Sequence, residues 1–291
     1  MTIIQNKAIG VFDSGVGGLT VLAELQLALP NEEFVYLGDT ARVPYGSRSP
    51  ETIIRYSKRV AGHLVKRDIK ALVVACNTAT TYALDALIEA CRPLNIVVFG
   101  VIEPSALMAL EKSKHKSIAV LGTEGTINGG KYYQILKKYE PNVHIKQQAC
   151  PLFVPIIEEG WHNHPVAKMV AEEYLLTVQQ LTVQKETVRQ SQIYPIDTVI
   201  LGCTHYPLLK PLLESLCPQM TFIDSAQSTA QMVRKTLNHL GLLRTESSNL
   251  SNKTLFLVTD NLQRFAKVGY YFLGVTPEPL QLIDIHDDDE L

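Results

Sequence analysis

The chain has 291 residues, 46% hydrophobic and 19% charged, which is enough apolar material for two domains of ordinary size. A formal net charge of −2 leaves no basic excess that would point to nucleic acid. Its most apolar runs, 71–75 and 96–102, are far too short to span a bilayer. The opening MTIIQNKAIGVFDSG lacks a basic stretch followed by an apolar one, so the expected location is the cytoplasm, with no membrane partner.

Taken in chain order, buried strands are expected at 7–12, 33–37, 71–75, 96–101, 117–121, 143–147, 198–201 and 220–223. Helical patterns fall between them at 20–29, 50–67, 81–91, 130–138 and 164–180. Val- and Ile-rich runs alternating with helices build βαβ units and parallel sheets. The expected fold class is therefore α/β, with two similar doubly wound parallel-sheet domains and the active site in the cleft between them. The polar stretches 182–192 and 245–253 read as surface loops, and the acidic end at 284–290 as a solvated tail.

Five cysteines are present: Cys76, Cys91, Cys150, Cys203 and Cys217. The odd count, with no Cys-x-x-Cys pair, argues against a disulfide framework. Two of them stand in matched settings. A strand running into AIGVFDSG is followed by one running into VVACNTAT, and IAVLGTEGT is later followed by VILGCTHY. In each half a first strand ends in small polar residues and a later one ends in a cysteine followed by Asn or Thr. Carboxyl ends of parallel strands are where such sheets place ligands.

Each motif also has an ordinary reading. The DSGVGG run at 13–18 follows a strand and precedes a helix, so its backbone N–H groups suit an anion. A tight turn capped by Asp13 or Ser14 competes evenly. A dinucleotide fingerprint fails because Thr20 stands where its last glycine belongs, and no P-loop lysine is present. Val43-Pro44-Tyr45-Gly46 reads as a turn whose tyrosine can line a pocket. Cys76 ends an apolar strand beside Asn77 and Thr78, where a helix N-terminus would lower its pKa; alone, a buried packing cysteine is the better reading. Cys203, followed by Thr204 and His205, shifts that balance. Zinc is the rival there, helped by His162 and His164, but paired ligand spacing is absent. Thr123 and Thr126 offer hydroxyls or a helix cap, and Glu158 and Glu159 are expected to be exposed.

Two thiols facing each other suit one reaction: removing a proton from the α-carbon of an amino acid and returning it on the opposite face. One group starts as thiolate and the other as thiol, and each turnover exchanges their roles. Hydroxyl and amide donors would stabilise the developing carbanion. No lysine sits in these motifs to hold pyridoxal, so no cofactor and no metal are expected.

The ordered set GVFDSGVGG, YLGDTARVPYG, ACNTATTYAL, GVIEPS, LGTEGT, ACPLFVPIIEEG and ILGCTHYPLL resembles the glutamate racemases, within the aspartate/glutamate racemase superfamily, over nearly the whole chain. The resemblance implies Cys76 and Cys203 as the two catalytic bases, assisted by Asp13, His205 and Glu158. It implies substrate contacts at Asp13, Ser14, Pro44, Tyr45, Gly46, Asn77, Thr78, Thr123, Thr126, Thr204 and His205. It also implies glutamate as substrate, with aspartate or another amino acid as the alternative, a homodimer, and supply of D-glutamate to peptidoglycan. The family fold implies a first domain of 1–100 plus 207–270, a second of 101–206, and a C-terminal tail region at 271–291. The segment before Lys7 is shorter than the activator-binding extension of some members, so no precursor activation is expected.

Overall fold

The computed structural model describes residues 4–179, 195–245, 254–286 and 289–291. Among them, ten strands form two sheets, and every pairing is parallel. The first sheet holds β1 (Ile9–Asp13), β2 (Phe34–Gly38), β3 (Ala71–Val74), β4 (Val97–Gly100), β9 (Thr254–Val258) and β10 (Leu280–Leu282), in the order β10-β9-β2-β1-β3-β4. The second holds β5 (Ser117–Gly122), β6 (His144–Ala149), β7 (Thr198–Gly202) and β8 (Thr221–Asp224), in the order β6-β5-β7-β8. The inner strands β1, β2, β3, β5 and β7 are buried at every position. That is why they read as unbroken apolar runs: helices cover both faces of a parallel sheet.

On one face of the first sheet lie α1 (Leu19–Ala28), α10 (Ser225–His239) and α11 (Leu262–Leu273), sharing a core of residues such as Leu22, Tyr36 and Val233. The other face carries α2 (Pro50–Val65) and α3 (Asn77–Cys91) over Phe12, Val74 and Leu87. The second sheet is flanked by α4 (Ile102–Lys112) and α6 (Lys131–Tyr139) on one side. On its other side lie α7 (Phe153–Glu158), α8 (Pro165–Gln179) and α9 (Lys210–Leu216). The short α5 (Glu124–Gly129) follows β5 directly. Local chemistry sets the starts. Ser49 accepts from the Thr52 amide with Pro50 next to it, which fixes the first turn of α2.

Several boundaries differ from the sequence-based expectation. Helix α3 begins at Asn77 rather than residue 81, because the Cys76 sulfur caps it, accepting from the Ala79 amide at 3.4 Å. Strands β9 and β10 were not expected. The first follows a long polar stretch, and the second has only three residues, too few for a periodicity to register. Strand β8 pairs with β7, so the second sheet extends past residue 206 and the chain returns to the first sheet's layer only with α10. The acidic end is only partly solvated: Asp284, His286 and Glu290 are exposed, and residues 287–288 lie outside the described residues. Strand β10 pairs with β9, and Ile285 and Asp289 are buried. The Asp289 carboxylate accepts from Lys66 Nζ at 2.7 Å. Helix α2 carries Gly62 where the tail crosses, since a Cβ there would lie 1.7 Å from the Asp289 carbonyl oxygen. The expected loop at 182–192 lies outside the described residues, as do residues 246–253 of the second one.

Candidate active site

Both sheets turn back on themselves at one place. In the first, the chain moves outward from β1 to β2 on one side and to β3 on the other; in the second, β5 is flanked by β6 and β7 in the same way. Ligands bind outside the carboxyl ends of strands at such a switch point. Asp13 ends β1 and Cys76 follows β3 by two residues; Thr123 follows β5 and Cys203 follows β7. The pairs that echo in sequence are thus neighbouring strands, in register from Ile9 with Ala71 and from Ile118 with Thr198.

The four ends converge on a cavity of about 230 Å³, below the roughly 300–1,000 Å³ of drug-sized pockets and on the scale of a small metabolite. Cys76, Asn77 and Thr78 line it from the start of α3, and Ser14 from the loop after β1. Pro44, Tyr45 and Gly46 line another wall. Thr123, Glu158, Cys203, Thr204 and His205 close the opposite side. Asp13 and Thr126 are not in the wall. Asp13 is buried behind it, with Oδ2 accepting from the Gly15 amide at 2.9 Å and Oδ1 without a partner. Thr126 sits behind Thr123; with Thr78 they form a hydroxyl cluster at 2.9–3.3 Å that joins α3 to α5.

The polar partners define what each wall residue can offer. The Tyr45 hydroxyl donates to Asp39 Oδ2 at 2.7 Å, so it is already engaged. The Asn77 carboxamide is oriented by Tyr132, whose hydroxyl donates to Oδ1 at 2.8 Å, and its buried Nδ2 has no partner in the protein. A buried donor left unpaired is costly and marks a place for a ligand acceptor. Gly17 permits the closest approach in the site: a Cβ there would meet His205 Nδ1 at 2.3 Å and Thr204 Oγ1 at 2.4 Å.

The two thiols have unlike surroundings. His205 lies between Cys203 and Glu158, with Nδ1 at 3.9 Å from the sulfur and Nε2 at 3.1 Å from Glu158 Oε1. Burial alone would lower the His205 pKa; hydrogen bonds to Cys203 and Glu158 overcome it and push it up to about 10. An imidazolium donates from both nitrogens and stabilises an anionic sulfur. Cys76 has no cation. Burial first, then the neighbouring Asp13 charge, push its thiol up to about 12, and a charge on Cys203 adds to the rise. The amide of Ala79 opposes this and is outweighed, so the lowered pKa expected from the helix N-terminus is reversed. Both sulfurs line the same cavity.

Glu158, expected from its type to be exposed, is half-buried against His205. Cys150, Pro151, Val154 and Pro155 also line the cavity and were not expected there. Part of their signal is in the sequence: Val154 and Pro155 precede Glu158 by four and three residues, one face of α7. His162 and His164 do not line it; His164 stacks on Trp161 and accepts from the Val166 amide. Among the described residues, no group of three His, Cys, Asp or Glu side chains is arranged to hold a metal ion. Nor is any described helix long and apolar enough to cross a membrane.

Residues 14–233 match the family model for Asp/Glu/hydantoin racemases. A glutamate racemase of Geobacter metallireducens is 47% identical over 269 residues, covering 92% of this chain and 93% of that protein. Two solved structures superpose over nearly the full length. The glutamate racemase of Francisella tularensis, in complex with D-glutamate, has a TM-score of 0.85 at 33% identity, covering 96% of this chain and 98% of that one. The glutamate racemase isoform RacE1 of Bacillus anthracis has a TM-score of 0.86 at 36% identity, with the same coverage.

Proposed function

The chain belongs to the Asp/Glu/hydantoin racemase family, and from that membership together with the paired thiols we propose that it interconverts L- and D-glutamate by two-base proton transfer. The observation that carries the reading is the single cavity with one cysteine at the switch point of each sheet. The glutamate racemase relatives support glutamate as the substrate.

In the proposed mechanism the Cys203 sulfur, which faces His205 Nδ1 at 3.9 Å, reacts as the thiolate toward one enantiomer, and Cys76 reacts as the thiol. The thiolate takes the α-proton from one face of the bound amino acid, leaving the electron pair on Cα and the adjacent carboxylate. The Cys76 S–H then delivers its proton to the other face. One proton has moved from Cys76 to Cys203, and the opposite enantiomer is released. The orphaned Asn77 Nδ2–H, with the hydroxyls of Ser14, Thr78 and Thr204, supplies donors for the substrate carboxylate as its charge grows. Asp13 sits beside Cys76, and Glu158 holds His205. Location in the cytoplasm, a homodimeric assembly and supply of D-glutamate to peptidoglycan belong to the same proposal.

The test is exchange in D₂O. Purified protein incubated with either enantiomer is expected to invert it and to introduce α-deuterium without added cofactor. Inversion that survives replacement of both Cys76 and Cys203 by alanine would rule the two-thiol reading out.

A further inference from the structure

We propose that Arg264, on α11, is a positioning residue for the Cys203 half of the reaction: it grips Glu158 from the other layer of the molecule and so fixes the imidazole that faces the sulfur. The inference rests on the reading of Cys203 and His205 given above.

The geometry is a chain of four side chains. Arg264 Nη2 donates to Glu158 Oε2 at 3.2 Å and to Glu159 Oε1 at 3.2 Å. The other oxygen of Glu158, Oε1, accepts from His205 Nε2 at 3.1 Å, and His205 Nδ1 faces Cys203. Each carboxylate oxygen of Glu158 thus has its own partner, one inside the site and one outside it. With Oε2 released, the carboxylate is free to rotate away from the imidazole; with Oε2 held, Oε1 points at Nε2. A donor shared between adjacent acidic side chains also offsets the repulsion between Glu158 and Glu159.

Helix α11 is built to deliver this contact. Its Phe265 and Val268 are buried in the core of the first sheet. Arg264, Tyr271 and Phe272 stand at i, i+7 and i+8, on one face. Tyr271 meets the segment after α7: a Cβ at Gly160 would lie 3.0 Å from its hydroxyl, and its ring is 6.0 Å from that of His162. Phe272 packs against the cores of both sheets, and its ring stands edge-on to His205 at 5.5 Å. One helix anchored in the first sheet therefore bears on Glu158, on the turn after it and on His205 itself.

A bare stability role fits less well. Arg264 is about half exposed, at 52%, whereas His205 is at 9% and Glu158 at 26%. An exposed guanidinium adds little to folding, typically ~0–1 kcal/mol. Its effect falls on the carboxyl it touches. Burial raises the Glu158 pKa, and His205 and then Arg264 bring it below the ordinary glutamate value. The titratable groups facing Glu158 are His205 and Arg264, with Cys203 and Asp13 beyond the imidazole and Glu159 sharing the guanidinium. Removing the guanidinium lets the carboxyl take up a proton at higher pH. A protonated Glu158 no longer holds the imidazolium, so activity is lost earlier on acidification.

The experiment is the pH profile of kcat/KM for glutamate in Arg264→Ala and Arg264→Lys, from about pH 3.5 to about pH 8.5, with thermal unfolding alongside and Cys203→Ala as reference. In Arg264→Ala the acid limb should move up by roughly half a pH unit, about a threefold loss on that side, with the unfolding temperature near that of the parent protein. Arg264→Lys, which keeps the charge, should return the limb most of the way. An unmoved limb in Arg264→Ala, or equal displacement in the alanine and lysine variants, overturns the proposal. If Cys203→Ala still racemises glutamate, the underlying two-thiol reading is what has failed. If Cys203→Ala is inactive and only the limb is unmoved, the role of Arg264 alone has failed.

Discussion

Replacing one thiol at a time separates the two faces of the substrate. Enantiomers have equal free energy in water, so kcat/KM must be the same in both directions for any variant, and racemisation rates cannot show which side is damaged. Exchange of the α-proton with solvent can. Cys76→Ala leaves Cys203 with its imidazolium partner, and this variant should wash deuterium into one enantiomer without inverting it. Cys203→Ala leaves only Cys76, whose pKa is pushed up to about 12 chiefly by burial and Asp13, the Cys203 charge that this variant removes being the smallest contribution. At about pH 8 a thiol of that pKa is thiolate in roughly one molecule in ten thousand. Its greater basicity restores about half of that deficit on a logarithmic scale, taking a Brønsted slope of ~0.4–0.5. Exchange of the other enantiomer should therefore run roughly a hundredfold below that of a thiol matched to the assay pH. The sign of the pH dependence follows: a raised pKa keeps the thiol protonated, so the Cys203→Ala rate should climb close to tenfold per unit between about pH 8 and about pH 10. Loss of the α-proton signal by NMR in D₂O reads both quantities. Comparable exchange of both enantiomers by either single variant, or a flat pH profile for Cys203→Ala, would refute the reasoning.

Tyr132→Phe removes the donor that fixes the Asn77 amide, at 2.8 Å; KM for glutamate should rise roughly five- to tenfold, about one hydrogen bond, and an unchanged KM in steady-state assays would show that the amide is held some other way. Gly17→Ala places a methyl 2.3 Å from His205 Nδ1, so activity should fall at least tenfold for an overpacking cost of ~1–3 kcal/mol, with circular dichroism confirming that the fold persists. Lys70→Met breaks a buried ion pair with Glu32 at 2.6 Å and empties hydrogen bonds to the Gln5 and Leu242 carbonyls. Denaturant unfolding should report a loss of roughly 3–5 kcal/mol, and a loss below about 1 kcal/mol would mean that Glu32 finds another donor.

Most of the site was legible because its residues lie at strand ends, and strand ends are where apolar runs stop. Cys76 and Cys203 both announce themselves by following an unbroken buried strand. What failed to show was of four kinds. The pairing of β8 with the second sheet depends on long-range register, which a four-residue run does not encode. The three-residue β10 is held by its neighbour and by the tail crossing Gly62, not by its own pattern. The direction of the Cys76 pKa shift was misjudged because only the local helix terminus is visible in sequence. Burial and the Asp13 carboxyl, brought from β1 by the β1–β3 pairing, outweigh it. Arg264 lies 106 residues from Glu158 in the chain and sits in an unremarkable amphipathic helix, so nothing local marks it.

The two halves are alike in topology and unlike in charge, and the reaction needs both. Matched switch points set two thiols in the wall of one cavity, and in the proposed mechanism they flank the α-carbon from opposite sides, as inversion requires. Even in identical surroundings charge on one sulfur would raise the pKa of the other, so the pair could hold a single proton; unlike surroundings decide which sulfur keeps it. Here an imidazole held by Glu158 stands beside Cys203, while burial, Asp13 and any charge on Cys203 keep the proton on Cys76. In the proposed mechanism a turnover of one enantiomer moves the proton from Cys76 to Cys203, and a turnover of the other moves it back. Because the equality of kcat/KM cannot be altered, the preference of the proton for Cys76 must appear as unequal kcat values matched by equally unequal KM values for the two enantiomers. Substitutions that weaken the imidazolium, at Glu158 or Arg264, should bring the two kcat values closer together, whereas those at Asp13 act from the Cys76 side.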